Sequence, residues 1–338
     1  CKIKNKKTFM KFNNFLKVLY ILGGFILTYI FLITGFLLLF IGADFFVSSS
    51  ANISKTFNIN PFFMGLTIVA FGTSSPELSV SLISSLNGSY GLCIGNIIGS
   101  NLFNILMVVG ALGFIKTLRV DNSILKMEFL FLIFCSITLL LLSMDNSLGR
   151  FDGILLLLLF TYYMFSFSPI NNYRESIPLI RNNIIKFKDN TKFYDILINI
   201  FSLLAIFTGG KMVVDSCLNI VDYLDISSRL IGFTIVAIGT SLPELITSII
   251  ASCKNEGDIA LGSIIGSNIF NILFVIAIPA LINPIAIDSK LIFDSIFTII
   301  ATILAFIFIK RENDITKHES LILVFTYIIY IQFFISKS

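Results

Sequence analysis

Shifted against itself by 167 residues, about half its length, the 338-residue chain matches twice without a gap. Residues 65–78 read GLTIVAFGTSSPEL and residues 232–245 read GFTIVAIGTSLPEL, eleven identities in 14 positions. Residues 95–106 read GNIIGSNLFNIL and residues 262–273 read GSIIGSNIFNIL, ten identities in 12. Identity at this level marks a duplication, so each half must fold to the same plan. Duplication explains a shared pattern of apolar segments. It does not explain two polar stretches staying nearly identical while everything around them drifted.

Those polar stretches lie in an apolar chain. Hydrophobic residues make up 56%, charged residues only 13% against the ~25% of a soluble domain, and mean hydropathy is +0.93. So few charges cannot cover that much apolar surface in water. An ordinary soluble protein, a disordered chain and a disulfide scaffold are therefore excluded. The net charge of +4 is small and gives no reason to expect a nucleic-acid partner. Cys1, Cys93, Cys135, Cys217 and Cys253 form no CxxC, and His318 is the single histidine. A zinc site or catalytic dyad has almost no material here, so free thiols, no cofactor and no enzymatic role are expected.

A hydrocarbon core takes ~20 apolar residues per helix. On that measure the chain reads as ten spans: 24–50, 61–86, 91–115, 123–143, 151–168, 195–223, 228–253, 258–282, 288–310 and 318–335. The fold class is thus an all-α polytopic membrane protein, with five spans in 24–168, a basic connecting loop at 169–194 and five spans in 195–335. An odd number per repeat inverts the second half in the membrane. Secondary transporters are built this way, with the site near mid-membrane on broken helices. Loops after the odd spans hold 13 Lys and Arg, and the opposite side holds four. By the positive-inside rule the 169–194 loop is cytoplasmic and both termini are extracytoplasmic, in a multi-pass cell (plasma or inner) membrane protein. Six lysines in the N-terminal tail oppose this, and a start at Met10 would remove four of them. The first apolar run is too long for a signal peptide and lacks its cleavage site.

The duplicated motifs put polar chemistry inside those spans. Glu77 and Glu244 lie within the second and seventh, where an ionised carboxylate is costly and marks a site. Pro76 and Pro243 precede them and break the helix, which should free carbonyls near Gly72 and Ala70 and near Gly239 and Ala237. Thr73, Ser74, Thr240 and Ser241 add hydroxyls at the same level. Ser100 with Asn104, and Ser267 with Asn271, stand four apart and share a helix face. Gly99 and Gly266 suit close helix approach. Asn101 and Asn268 fall on a neighbouring face and suit capping or interhelical hydrogen bonds. The pooled set is all oxygen, as hard cations such as Ca²⁺ and Na⁺ prefer. Two glutamates carry −2, the charge of one Ca²⁺, two Na⁺ or two protons, so these ions could compete for one site.

At these residues the chain resembles the cation/calcium exchanger superfamily, in its prokaryotic sodium/calcium exchanger-like branch. G-T-S-S-P-E-L at 72–78 with G-S-N-L-F-N at 99–104, and G-T-S-L-P-E-L at 239–245 with G-S-N-I-F-N at 266–271, resemble the family's two alpha-repeats, here 65–106 and 232–273. The resemblance implies Ca²⁺ extrusion driven by Na⁺ entry, with spans one and six sliding past the core. It implies a central Ca²⁺ site at Glu77 and Glu244. Flanking cation sites would use Ala70, Thr73, Ser74, Ser100, Asn104, Ala237, Thr240, Ser241, Ser267 and Asn271. Some relatives carry Asp at one of the positions that are Asn104 and Asn271 here, so this pocket has one fewer potential charge. The long cytosolic regulatory loop of animal members is absent.

Bland roles compete with these. Polar residues in membrane helices also join helices to one another. Asp44, Asp215 and Lys211 read as structural or interfacial, and Lys211 and Asp215 are spaced to pair. The leading function is a Ca²⁺/Na⁺ antiporter with lipid as its surroundings, for which a monomer suffices. The alternative is a Ca²⁺/H⁺ antiporter. A passive channel conflicts with inverted broken-helix repeats, and an intramembrane enzyme lacks any H-E-x-x-H or Ser/His pairing.

Overall fold

In hydrocarbon a backbone amide must bond within its own segment, so long apolar runs coil. The computed structural model describes residues 2–57, 59–115, 122–166, 190–222, 236–312 and 315–337, and these are helical nearly throughout. In chain order the helices are α1 (Lys2–Phe57), α2 (Pro61–Thr73), α3 (Ser75–Leu86), α4 (Tyr90–Ile115), α5 (Asn122–Leu142) and α6 (Arg150–Ser166). The second half gives α7 (Asn190–Asp222), α8 (Ala237–Thr240), α9 (Leu242–Cys253), α10 (Gly257–Ile282), α11 (Ser289–Glu312) and α12 (Lys317–Lys337).

Among the described residues, six stretches are long and apolar enough to cross a membrane: Ile26–Phe57, Tyr90–Ile115, Leu125–Asp145, Phe193–Val213, Gly257–Ile282 and Leu291–Lys310. The pair α2 and α3, bent by 42°, makes a seventh. Helices lie at the places of the expected ten spans, though at most seven described stretches qualify as membrane crossings, and residues 167–168 of the fifth, 223 of the sixth and 228–235 of the seventh, with most of the 169–194 loop, lie outside the described residues. The helix α1 extends beyond the expected 24–50 at both ends because no proline occurs before Pro61. It stops there since a residue preceding proline avoids the helical region. Asn60 sits at φ −60°, ψ 129° and its side chain accepts from the Phe62 N–H at 2.9 Å, starting α2.

The halves interleave. The helix α2 packs on α10, and α8 packs on α4. The outer helix α6 also lies on α10, α12 on α4, α5 against α11, and α1 along α7. The most apolar windows of α4 and α10 are 83% buried, against 28% in α1, so the helices carrying the second motif form the centre and α1 lies at the periphery. Glycines set the closest crossings. A Cβ at Gly65, Gly262 or Gly266 would run into the backbone carbonyl of Ile259, Phe62 or Leu66, so α2 and α10 meet at backbone distance.

Two outer helices are pinned by buried acids. Tyr163 on α6 donates to Glu128 on α5 at 2.8 Å, and Tyr330 on α12 donates to Asp294 on α11 at 2.8 Å. A two-residue antiparallel ribbon, β1 (Ser147–Leu148) with β2 (Ile285–Ala286), joins the halves at one end. Ion pairs also link them: Lys254 with Asp44 at 2.7 Å and Lys55 with Glu256 at 3.3 Å. The expected Lys211–Asp215 pair is not among the ion pairs of the described residues. Asp44 instead takes Lys254 from the second half, a contact that sequence spacing does not reveal.

Candidate cation site

Proline decides the local geometry. Pro76 and Pro243 occupy the first turn of α3 and α9, where a missing N–H costs nothing. The chain turns just before them, at Ser74 (φ −83°, ψ 6°) and Ser241 (φ −88°, ψ 3°), in the sparsely used bridge region. Each break therefore ends one helix beside the start of the next, and it places Glu77 and Glu244 in the first turn after it. One part of the sequence reading needs correction. The Ala70 and Ala237 carbonyls are not bare, because the Ser74 and Ser241 N–H groups reach them at 3.0 and 3.2 Å. What each keeps is a second lone pair, and hydroxyls of both repeats gather there: Thr73 at 3.4 Å and Ser267 at 3.5 Å from Ala70, and Thr240 at 3.2 Å and Ser100 at 3.4 Å from Ala237.

The bonds run crosswise. Ser74 donates to Glu244 Oε1 and Ser241 donates to Glu77 Oε1, both at 3.1 Å. Thr73 and Ser267 hydroxyls are 3.4 Å apart, as are those of Ser100 and Thr240. Thus Ala70, Thr73, Ser74, Glu77, Ser100, Asn104, Ala237, Thr240, Ser241, Glu244, Ser267 and Asn271 are all buried, and the hydroxyls and carboxylates mesh across the repeats.

Asn104 and Asn271 each open a wide π turn, Asn104–Val108 and Asn271–Val275. Such turns leave the local backbone off the regular α ladder and recur at functional sites. Asn271 Nδ2 donates to Asn101 Oδ1 at 3.0 Å, and Asn104 Nδ2 faces Asn268 Oδ1 at 3.5 Å. Gly266 serves the close approach already described.

Several buried polar atoms lack a hydrogen-bond partner among the described residues, and four of them are oxygens of the motif glutamates and asparagines: Glu77 Oε2, Glu244 Oε2, Asn104 Oδ1 and Asn271 Oδ1. Native interiors rarely leave such atoms, since each costs about 1–3 kcal/mol. Four of them, two from each repeat at matching positions, suit a desolvated hard cation, which wants oxygen lone pairs and no N–H.

Sequence reasoning passed over Asn96. Its Nδ2 donates to the Glu77 carbonyl at 3.3 Å and to Ser81 Oγ at 3.1 Å, and its Oδ1 accepts from Thr240 at 3.0 Å. It braces a glutamate of one repeat and a threonine of the other. The signal was present, because Asn96 against Ser263 is one of only two mismatches in the 12-residue repeat.

Comparison with known proteins follows the same outline. The family profile for sodium/calcium exchanger proteins matches residues 27–168 and 194–336, one match per half. The inner membrane protein YrbG of Escherichia coli (strain K12) is 36% identical over 261 residues, 76% of this chain and 80% of that protein. The sodium/calcium exchanger MaX1 of Methanosarcina acetivorans is 29% identical over 339 residues, 90% of this chain and 97% of that protein. Among solved structures, the sodium-calcium exchanger NCX_Mj soaked with 10 mM Na⁺ and zero Ca²⁺ superposes with a TM-score of 0.78 at 30% identity, covering 91% of this chain and 99% of that one.

Proposed function

The chain belongs to the sodium/calcium exchanger protein family, and on that premise we propose that it is a secondary active antiporter exchanging Ca²⁺ for Na⁺ by alternating access, the ions competing at a central site built on Glu77 and Glu244. The observation that carries this reading is the set of four buried oxygens without hydrogen bonds, two carboxylate and two amide. Their surroundings in α2, α3, α8 and α9 add the hydroxyls of Thr73, Ser74, Thr240 and Ser241 and the carbonyls of Ala70 and Ala237, with Ser100 and Ser267 from α4 and α10.

Charge then supplies the coupling rule. Two ionised glutamates buried together, with no cation, are costly in a low-dielectric interior. One Ca²⁺ or two Na⁺ cancels their charge, so a loaded carrier reorients and an unloaded one does not. Each ion is thereby carried only in exchange for another. A further Na⁺ held by neutral oxygens would leave net positive charge and make transport sensitive to voltage. The ten-span inverted plan supports two equivalent ways of opening. The pair α1 and α7 is suited to move as one body. It crosses at Gly35 and Gly209, where a Cβ on either would meet the other's carbonyl at 2.9 and 2.7 Å, and it lies against α9 and α3. The excess of Lys and Arg in loops after odd spans supports a cytoplasmic 169–194 loop, extracytoplasmic termini and residence in the cell membrane.

The test is flux. Liposomes containing the protein and loaded with Na⁺ are diluted into Na⁺-free buffer with radioactive Ca²⁺, with protonophore present. Uptake that disappears without internal Na⁺ is the expected result. No uptake here, with uptake when a pH gradient replaces Na⁺ and protonophore is omitted, would contradict it and identify Ca²⁺/H⁺ exchange.

A further inference from the structure

We infer that Asn101 and Asn268 are positioning residues that turn the amides of Asn271 and Asn104 so that oxygen, not N–H, faces the cation. The inference rests on the antiport reading above and deepens it. An amide side chain accepts at one end and donates at the other. Only the accepting end can ligate a cation, and nothing within Asn104 or Asn271 chooses which end faces the site.

Their neighbours choose. Asn271 Nδ2 is held by Asn101 Oδ1 at 3.0 Å and Asn104 Nδ2 by Asn268 Oδ1 at 3.5 Å. With both N–H₂ ends turned to these partners, both Oδ1 atoms are left without hydrogen bonds. The hold is reciprocal across the duplication, since each repeat orients the other's ligand. Asn101 and Asn268 are themselves 3% and 1% exposed, so no solvent stands in for them.

The two holds are unequal. Asn101 is anchored in turn, its Nδ2 donating to the Asn268 carbonyl at 3.4 Å, whereas Asn268 Nδ2 has no partner among the described residues. Asn271 is thus oriented more firmly than Asn104. A carboxylate at either ligand position would need no such hold, because both of its ends are oxygen. Asparagine at both positions makes orientation depend on residues that touch no ion.

The test is a double-mutant cycle on the purified full chain, reading Ca²⁺ affinity by calorimetry at fixed Na⁺. Partners that orient ion ligands typically contribute 10–100-fold in affinity. Asn101→Ala is expected to weaken Ca²⁺ binding by about tenfold or more. The same change in the Asn271→Asp background is expected to weaken it by less than about threefold, a coupling that loss of packing alone would not give. Asn268→Ala with Asn104→Asp is the mirror cycle, with a smaller first loss, and carries the test should Asn101→Ala not fold. Unchanged affinity in Asn101→Ala, or equal losses in both backgrounds, overturns the inference alone. Wild-type protein that binds no Ca²⁺ displaceable by Na⁺ overturns the antiport reading with it.

Discussion

The two halves of the site carry the same ligands in different settings. In the first repeat, Asn96 ties the Glu77 carbonyl, Ser81 and the Thr240 hydroxyl together. In the second, the equivalent position is Ser263, whose Oγ, like that of Ser248, the counterpart of Ser81, has no partner among the described residues. Ser267 and Ser100 make mirror contacts, to Thr73 and the Ala70 carbonyl and to Thr240 and the Ala237 carbonyl, and Ser267 also reaches Glu244 Oε1 at 3.4 Å. Duplication thus kept the atoms that would touch an ion and let their supports diverge. The half with Asn96 has a brace that the other lacks. Nominally equivalent flanking positions should therefore differ in affinity, which an exchanger of unlike ions can use.

The largest effect should be the symmetric one. Glu77→Gln or Glu244→Gln removes half the site's charge, and either is expected to lower Ca²⁺ exchange in liposomes by at least about 100-fold with expression intact. Unequal losses would show that the asymmetry reaches the carboxylates themselves. Next comes the brace. Asn96→Ser makes the halves alike, leaves Thr240 the Ala237 carbonyl at 3.2 Å to donate to, and is expected to weaken ion binding by roughly tenfold in a Ca²⁺ titration. An unchanged titration would confine the asymmetry to structure.

The acid–tyrosine pairs are nearly equal in the two halves and should respond equally. Tyr163→Phe and Tyr330→Phe each remove a buried donor from a carboxyl group, at a cost of about 1–3 kcal/mol in thermal unfolding. The smallest effect belongs to the periphery. Lys254→Met breaks a pair in which Lys254 and Asp44 side chains are 30% and 54% exposed, so about 0.2–1 kcal/mol of stability and no change in ion affinity are expected.

Much of this was legible in the sequence because membranes constrain it so heavily. Apolar runs of sufficient length, interrupted by Ser-Pro-Glu and Leu-Pro-Glu, fixed the helices and located their breaks. The identity of the motifs pointed to Glu77, Glu244 and the oxygens beside them. What stayed hidden depended on contacts between the halves. The Ala70 carbonyl read as free although the Ser74 N–H, four residues on, makes the ordinary helical bond to it; Pro76 removes only the donor that would have reached Gly72. Asn96 read as ordinary because its value lies in reaching Thr240. The second pair of buried acids escaped the 167-residue comparison for a plainer reason. Tyr163 and Tyr330 are 167 apart, but Glu128 and Asp294 are 166 apart, so a one-residue offset and the shorter Asp side chain hide the match. The π turns at Asn104 and Asn271 have no sequence signature in composition or periodicity.

The central claim is that Na⁺ and Ca²⁺ compete for one set of oxygens, and a Ca²⁺ titration of the purified protein at stepped Na⁺ concentrations tests it most directly. Competition predicts that rising Na⁺ shifts the Ca²⁺ midpoint steadily upward while the number of bound Ca²⁺ at saturation stays constant. A midpoint indifferent to Na⁺, or a bound amount that falls at unchanged midpoint, would contradict it.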